Sequence, residues 1–278
     1  MLSIFNSFNV SMVANAGLVA CFLIFIILLK IRSFKLSKTW FVPIFAIYFG
    51  VYFAALFGIF FDGPESSKLL SNNSVLDLII KAFNPANRIG KVMYGGFFGS
   101  IVGSVFASLL LNRKSLSDFL DISAISITLS FAIWRIGCFL GGCCYGMPGQ
   151  TFGMRFYRNT IAYVKLRDTP FVKGEYTVPL LPTQLISASG NFAIFLFLLI
   201  LFCKNKTRYP YFYFFAQALL YGIGRFIIEF FRMDPRGFWG PLSVSQWFAL
   251  VMIAVSLVFF IKNRKEISES FKNPSRNF

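Results

Sequence analysis

The sequence predicts an all-α integral membrane protein of about seven transmembrane helices, and three observations carry that prediction. Of its 278 residues, 56% are hydrophobic and only 14% charged. The mean hydropathy is +0.67. The 38 Phe residues recur along most of the chain instead of crowding one stretch. A soluble domain carries about 25% charged residues, so polar side chains are too few here to coat a water-soluble globule. The even spread of Phe also excludes a soluble domain hung on a single anchor.

Runs of about 20 apolar residues fall near 12–29, 40–61, 92–111, 120–142, 181–203, 209–231 and 242–261. No Lys or Arg precedes the first run, because Lys30 is the first charged side chain; a secretory signal has the reverse order. The first loop holds Lys30, Arg32, Lys35 and Lys38, the third Arg113 and Lys114, and the fifth Lys204, Lys206 and Arg208. The tail adds Lys262, Arg264, Lys265, Lys272 and Arg276. Such segments stay on the cytoplasmic side, which puts the N-terminus outside and the C-terminus inside. That orientation needs an odd number of spans, in agreement with seven. Residues 1–278 then form a single polytopic domain, with 62–91 and the longest loop, 143–180, outside. The latter carries Pro148, Gly149, Gly153, Pro170, Gly174 and Pro179, and its alternation over 151–156 predicts a small external cap with a strand or two.

The net charge of +16, from 27 Lys and Arg against 11 Asp and Glu, fits cationic loops against anionic headgroups. No basic stripe runs through a soluble fold, so no nucleic-acid partner is expected. Histidine is absent. With it goes the commonest general base and metal ligand, and proton transfer falls to Tyr, Cys, Glu, Asp, Lys or substrate. The five Cys are too few and scattered for a disulfide framework. Cys138, Cys143 and Cys144 lie close in sequence, but zinc bound there would need a fourth soft ligand. They are expected to pack as small buried hydrophobes, with no metal and no cofactor.

Three ionisable residues fall well inside the spans: Arg135 in the fourth, Arg225 and Glu229 in the sixth. An Arg at a helix centre costs about 2.5–3.5 kcal/mol on insertion scales, so each needs a partner or a polar cavity. Arg225 and Glu229, at i and i+4, can pair within one helix; Arg135 is left over. Tyr221, Arg225, Glu229 and Arg232 share one face of the sixth span. By the charge-derived orientation, Tyr94, Gln184, Ser243, Ser245 and Gln246 begin their helices at the same outer level. A cavity there with two guanidinium forks suits a phosphodiester headgroup. Gly95, Gly96, Gly99 and Gly103, Gly137, Gly141 and Gly142, and Gly222 and Gly224 permit close helix approach.

The stretch Arg135-Ile136-Gly137-Cys138-Phe139-Leu140-Gly141-Gly142-Cys143-Cys144-Tyr145-Gly146 resembles the signature block of the bacterial prolipoprotein diacylglyceryl transferases. Tyr221-Gly222-Ile223-Gly224-Arg225-Phe226, followed by Glu229-Phe230-Phe231-Arg232, is similar to a second block of that family. Leu242-Ser243-Val244-Ser245-Gln246 is similar to a third, and Tyr94-Gly95-Gly96 and Leu181-Pro182-Thr183-Gln184 resemble weakened versions of two more. The resemblance implies a transferase of the bacterial cytoplasmic (inner) membrane with phosphatidylglycerol and a prolipoprotein lipobox peptide as substrates. It would move diacylglyceryl from the lipid to the lipobox cysteine thiol as a thioether and release glycerol phosphate. The family's essential arginines correspond to Arg135 and Arg225, its Tyr and Glu of the sixth span to Tyr221 and Glu229, and its glycine after the signature to Gly146.

The chain departs from that pattern at Tyr94 and Leu181, where the family usually has His, at Cys138, where it has Asn, and at Cys143, where it has an acidic residue. The catalytic set expected is therefore Arg135, Arg225, Tyr94 and Glu229, with Tyr94 or Glu229 helping to take the thiol proton. Arg135, Tyr221, Gly146, Gln184 and Gln246 are expected to bind substrate. A related transferase with a different acceptor is one alternative, and two other classes compete. A lipid or anion transporter would need polar residues continuing to the inner face, and those span halves (22–29, 105–111, 192–202) are apolar. A thiol-redox protein built on Cys143 and Cys144 lacks a Cys-x-x-Cys motif.

Overall fold

The computed structural model describes residues 7–61, 71, 74–82, 93–111, 115–149, 152–204, 206–234 and 238–273. The helices in chain order are α1 (Ser7–Ile31), α2 (Leu36–Thr39), α3 (Val42–Phe61), α4 (Val75–Ala82), α5 (Met93–Leu111), α6 (Leu116–Gly141), α7 (Ile161–Leu166), α8 (Thr183–Cys203), α9 (Phe212–Glu229), α10 (Val244–Lys262) and α11 (Arg264–Lys272). Two antiparallel hairpins interrupt them: β1 (Val172–Lys173) with β2 (Tyr176–Thr177), and β3 (Phe238–Trp239) with β4 (Leu242–Ser243). Most of the 62–91 loop, together with Arg113 and Lys114, lies outside the described residues.

Six described stretches are long and apolar enough to cross a membrane: Met12–Ile31, Leu36–Phe60, Met93–Leu111, Leu116–Gly141, Thr183–Cys203 and Val244–Lys262. They coincide with six of the expected spans. The remaining expected span, 209–231, forms the 18-residue helix α9. Gln217, Arg225 and Glu229 lower its hydropathy, and it is not one of the six.

Helix α6 is the hub, packed against α1, α3, α5, α8 and α9. Its apolar first turns join the ends of α1 and α8 and the start of α9 in a core that includes Phe25, Leu29, Phe119, Leu198, Phe202 and Tyr213. The start of α9 has no side-chain cap of its own. Asp121 of α6 supplies one, its Oδ1 accepting the Phe214 N–H at 2.8 Å, which satisfies a first-turn donor that would otherwise be orphaned. Asp121 is 3% exposed, so this bond also accounts for a carboxyl buried at the head of a span.

Helices α3 and α5 pack backbone to backbone. Gly95, Gly99 and Gly103 fall on one face of α5, and a Cβ at Gly99 would overlap the Phe49 carbonyl of α3, just as one at Gly103 would overlap that of Phe45. This is the small-residue seam by which helices associate in lipid. The glycines of the third span are thus used in packing.

Helix α6 stops because Gly142 takes a left-handed conformation (φ 68°), the usual glycine terminator. The segment that follows closes on its own small core of Tyr145, Phe156, Ala162, Leu166 and Leu180. The strands expected over 151–156 reduce, among the described residues, to an isolated bridge between Met154 and Leu180. The hairpin of the segment lies later, at 172–177, where Gly174 (φ 63°) makes the turn.

Candidate active site

The site is built on α9, whose i+4 spacing lines up Gln217, Tyr221, Arg225 and Glu229, all buried. Arg225 Nη2 lies 2.9 Å from Glu229 Oε2 and donates to Ser245 Oγ at 3.0 Å. Ser243 donates to the other carboxylate oxygen, Oε1, at 3.0 Å. Ser243 is also the N-cap of α10 in a capping box with Gln246, so the Glu229 carboxylate ties the start of α10 to the end of α9. Arg232 was expected on the same helical face, but α9 ends at Glu229. A turn brings its Nε back to 3.9 Å from Glu229, and it grips Asp234 through two bonds of 2.9 Å.

Arg135 differs from these. It is 5% exposed, its Nε has no hydrogen-bond partner, and no ion pair to it is found among the described residues. It lines a cavity of about 240 Å³ together with Tyr221, Arg225, Ser187, Asn191 and the small residues Gly190 and Gly224. Two more polar atoms at this cavity lack hydrogen-bond partners among the described residues, Arg225 Nη1 and the Tyr221 hydroxyl. Three buried guanidiniums, of Arg135, Arg225 and Arg232, face two carboxylates, of Glu229 and Asp234. Against carboxylates alone one positive charge is left over, and an anion with several oxygens satisfies both that charge and the orphaned donors.

The other expected site residues do not line this cavity. Gln184 donates from Nε2 to the Cys143 carbonyl at 2.7 Å, while its Oε1 has no partner. Gly146 is wedged between the carbonyls of Leu181 and Phe231, where a Cβ would collide with both, and its N–H donates to Leu181. Gln246 serves the capping box. Tyr94 stacks on Phe248 with ring centres 4.5 Å apart and meets Phe57 edge-on; it is not part of the cavity lining. Sequence reasoning missed Ser187, Asn191 and Asp234. The first two carried a signal, since with Gln184 they form a polar stripe at helical spacing in an otherwise apolar span.

Beside the cavity the thiols of Cys138, Cys143 and Cys144 lie within 4.8 Å of one another. Cys144 has a left-handed backbone (φ 60°), uncommon for a residue with a side chain. Hydrogen bonds from Cys138 and Cys143 hold the Cys144 thiol well below the usual range, and Arg232 and Arg135 reinforce the effect. Asp234 is pushed up to about 6 because burial outweighs the attraction of Arg232.

Fold and site define a polytopic membrane protein with a half-open cavity among α6, α8 and α9, lined by two buried arginines. The chain belongs to the prolipoprotein diacylglyceryl transferase family, which it matches over residues 12–262. It is 34% identical over 185 residues to the phosphatidylglycerol-prolipoprotein diacylglyceryl transferase 2 of Clostridium perfringens, a match covering 65% of this chain and 66% of that one. To the enzyme of the same name, without the numeral, from Clostridium tetani it is 34% identical over 179 residues, 62% of this chain and 66% of the relative. The Streptococcus agalactiae enzyme is 30% identical over 229 residues, covering 72% and 83%.

Proposed function

We propose that this chain moves the diacylglyceryl group of phosphatidylglycerol onto the thiol of a prolipoprotein lipobox cysteine, forming a thioether and releasing glycerol phosphate. The observation that carries this reading is Arg135: a buried guanidinium with no counter-ion among the described residues, on the same cavity as Arg225. In this reading the phosphodiester is the missing counter-ion. The acceptor sulfur attacks the glyceryl carbon, the C–O bond to phosphate breaks, and a second negative charge develops on the departing phosphate. Arg135 and the free Nη1 of Arg225 hold that charge where it grows, which lowers the barrier more than it stabilises the bound lipid. The Tyr221 hydroxyl donates a further hydrogen bond.

Glu229 is a positioning residue in this scheme, since both its oxygens are engaged, one with Arg225 and one with Ser243. Gln184 and Gly146 hold the turn that carries Cys143 and Cys144. Gln246 fixes the start of α10, and Tyr94 packs α5 against α10 through Phe248. Seven crossings, with α9 the sixth, put the N-terminus outside, the C-terminus inside and the site near the outer face of the bacterial cytoplasmic membrane. The 143–180 segment then caps the site where an exported prolipoprotein emerges. The charge of the alternate loops supports that orientation. A transporter is disfavoured by the opposite end of the same helices, which Phe25, Leu198, Phe202 and Tyr213 close with apolar packing.

Purified protein incubated with phosphatidylglycerol and a synthetic lipobox peptide is expected to add one diacylglyceryl mass to the cysteine, read by mass spectrometry, with one glycerol phosphate released. Peptide that stays unmodified at every lipid concentration would sink the reading.

A further inference from the structure

Transfer to a thiol needs a thiolate, and the ordinary bases are spent or missing. The chain has no histidine. Glu229 is held by Arg225 and Ser243, and Asp234 is gripped by both arms of Arg232. What stands beside the cavity instead is a trio of thiols. We propose that Cys138, Cys143 and Cys144 bind one zinc ion as thiolates and that the fourth position of this zinc takes the acceptor cysteine sulfur, presenting it to the lipid as a metal-bound thiolate.

Four observations lead there. The three sulfurs already lie within 4.8 Å of one another, and a tetrahedral zinc with Zn–S of about 2.3 Å sets neighbouring sulfurs roughly 3.8 Å apart, so modest side-chain rotations complete the site. The turn is held from outside, Gln184 bonding the Cys143 carbonyl and Thr183 the Cys144 carbonyl, as ligand-bearing segments usually are. Cys144 adopts a left-handed backbone although it is not glycine, a local cost of the kind that collects at functional sites. The Arg135 guanidinium, one helical turn before Cys138, lies within electrostatic reach of Cys138 and Cys144. The same guanidinium lines the cavity, which places a zinc-bound nucleophile next to the phosphate it would displace.

The inference rests on the proposed transfer to a thiol. In balanced form, the acceptor R–SH binds zinc and gives its proton to water, because a thiol coordinated to zinc is deprotonated outright. Its sulfur lone pair then forms the S–C bond as the C–O bond breaks. Both electrons of that bond leave on the glycerol phosphate oxygen, and the thioether departs from the zinc. Nothing is oxidised or reduced.

Metal analysis of the purified protein should find one zinc per chain. Cobalt(II) put in its place should show the intense sulfur-to-metal absorption of a tetrahedral thiolate site. Lipobox peptide should shift that spectrum, and the peptide with Ser for Cys should not. Cys138→Ser, Cys143→Ser and Cys144→Ser, checked for unaltered thermal unfolding, should each weaken metal binding by more than the roughly 10- to 100-fold lost when a ligand's hydrogen-bond partner is removed. Wild-type protein that binds no stoichiometric metal, cobalt bands indifferent to the peptide thiol, or a full transfer rate in chelator-stripped wild type would each overturn the proposal. Metal and thiol uptake in a protein that never modifies the peptide would support the zinc site while defeating the proposed transfer.

Discussion

Arg225 and Glu229 stand one turn apart on α9, with Nη2 2.9 Å from Oε2 and each residue 8% exposed. Arg135, on the same cavity, has no such partner among the described residues. The two arginines therefore respond differently to removal. Arg225→Ala strands a buried carboxylate, a loss of about 3–5 kcal/mol where no other cation compensates; Arg232 at 3.9 Å recovers part of it, and the variant should melt earlier and accumulate less. Arg135→Ala breaks no carboxylate ion pair among the described residues and should fold about as well as the parent but fail in transfer. Arg135→Lys should also lose most activity, because an ammonium cannot offer the planar fork. Detergent melting curves read beside the mass-spectrometric assay separate these effects; an Arg135→Ala protein as active as the parent would contradict the account.

The Tyr221 hydroxyl is buried and has no hydrogen-bond partner among the described residues, so Tyr221→Phe should leave stability unchanged or slightly higher. If that hydroxyl donates to the phosphate, its loss costs about 1.5–3 kcal/mol, or roughly 10- to 100-fold in transfer rate. Equal rates for the two proteins would remove Tyr221 from the mechanism.

Two glycines separate space for ligand from space for packing. A Cβ at Gly224 meets nothing within 4 Å, and the residue lines the cavity, so Gly224→Leu should fold and fill the volume the headgroup needs, lowering activity and phosphatidylglycerol binding together. Gly99→Ala pushes α3 from α5 and should destabilise by about 1–3 kcal/mol, the usual cost of overpacking. Active Gly224→Leu enzyme would move the lipid elsewhere.

The spans and the arginine pair were legible in the sequence because charge in an apolar helix is expensive enough to announce itself: Arg135, Arg225 and Glu229 could be chosen from hydropathy and spacing alone. What could not be read is which face each helix turns inward, since a span apolar all round has no polar face to betray it. Tyr94 begins its helix among small residues, as a site residue would, yet its ring is stacked on Phe248, which belongs to α10, far along the chain. Asp121 caps a helix that starts 91 residues later, and Gln184 braces a turn 41 residues earlier. Such long-range hydrogen bonds leave no local trace, so Gln184 was expected to bind substrate and its brace went unread; Gln246 was expected to bind substrate too, although its capping box with Ser243 is local. The three cysteines were read as buried hydrophobes because their convergence depends on the left-handed turn at Gly142 and Cys144.

Asp234 should give stability a slope in mild acid. Its carboxyl is raised to about 6 by burial, against about 3.9 in an unfolded chain. Between those values the folded protein binds a proton that the unfolded one does not, so this group's contribution to stability falls as pH rises from about 4 to 6. Arg232, Cys144 and Glu229 face the carboxyl. Asp234→Asn should flatten that part of the pH–stability curve. An identical slope in the variant would assign it to another group.

Orientation is open to chemical labelling. Ser37 and Lys173 are both exposed, and the loop charges put them on opposite faces of the membrane. In intact cells, a cysteine at Lys173 should react with an impermeant maleimide, and one at Ser37 should react only after the membrane is breached. Labelling of Ser37→Cys in sealed cells would reverse or break the seven-span arrangement.

The central claim is that Arg135 is held in the membrane without a protein counter-ion because the phosphate of the donor lipid supplies one. Native mass spectrometry of the protein released from mixed-lipid nanodiscs tests it directly. The wild type should retain one phosphatidylglycerol in preference to phosphatidylethanolamine, and a folded Arg135→Ala protein should lose that preference. Retention of phosphatidylglycerol by Arg135→Ala at the wild-type level would contradict the claim.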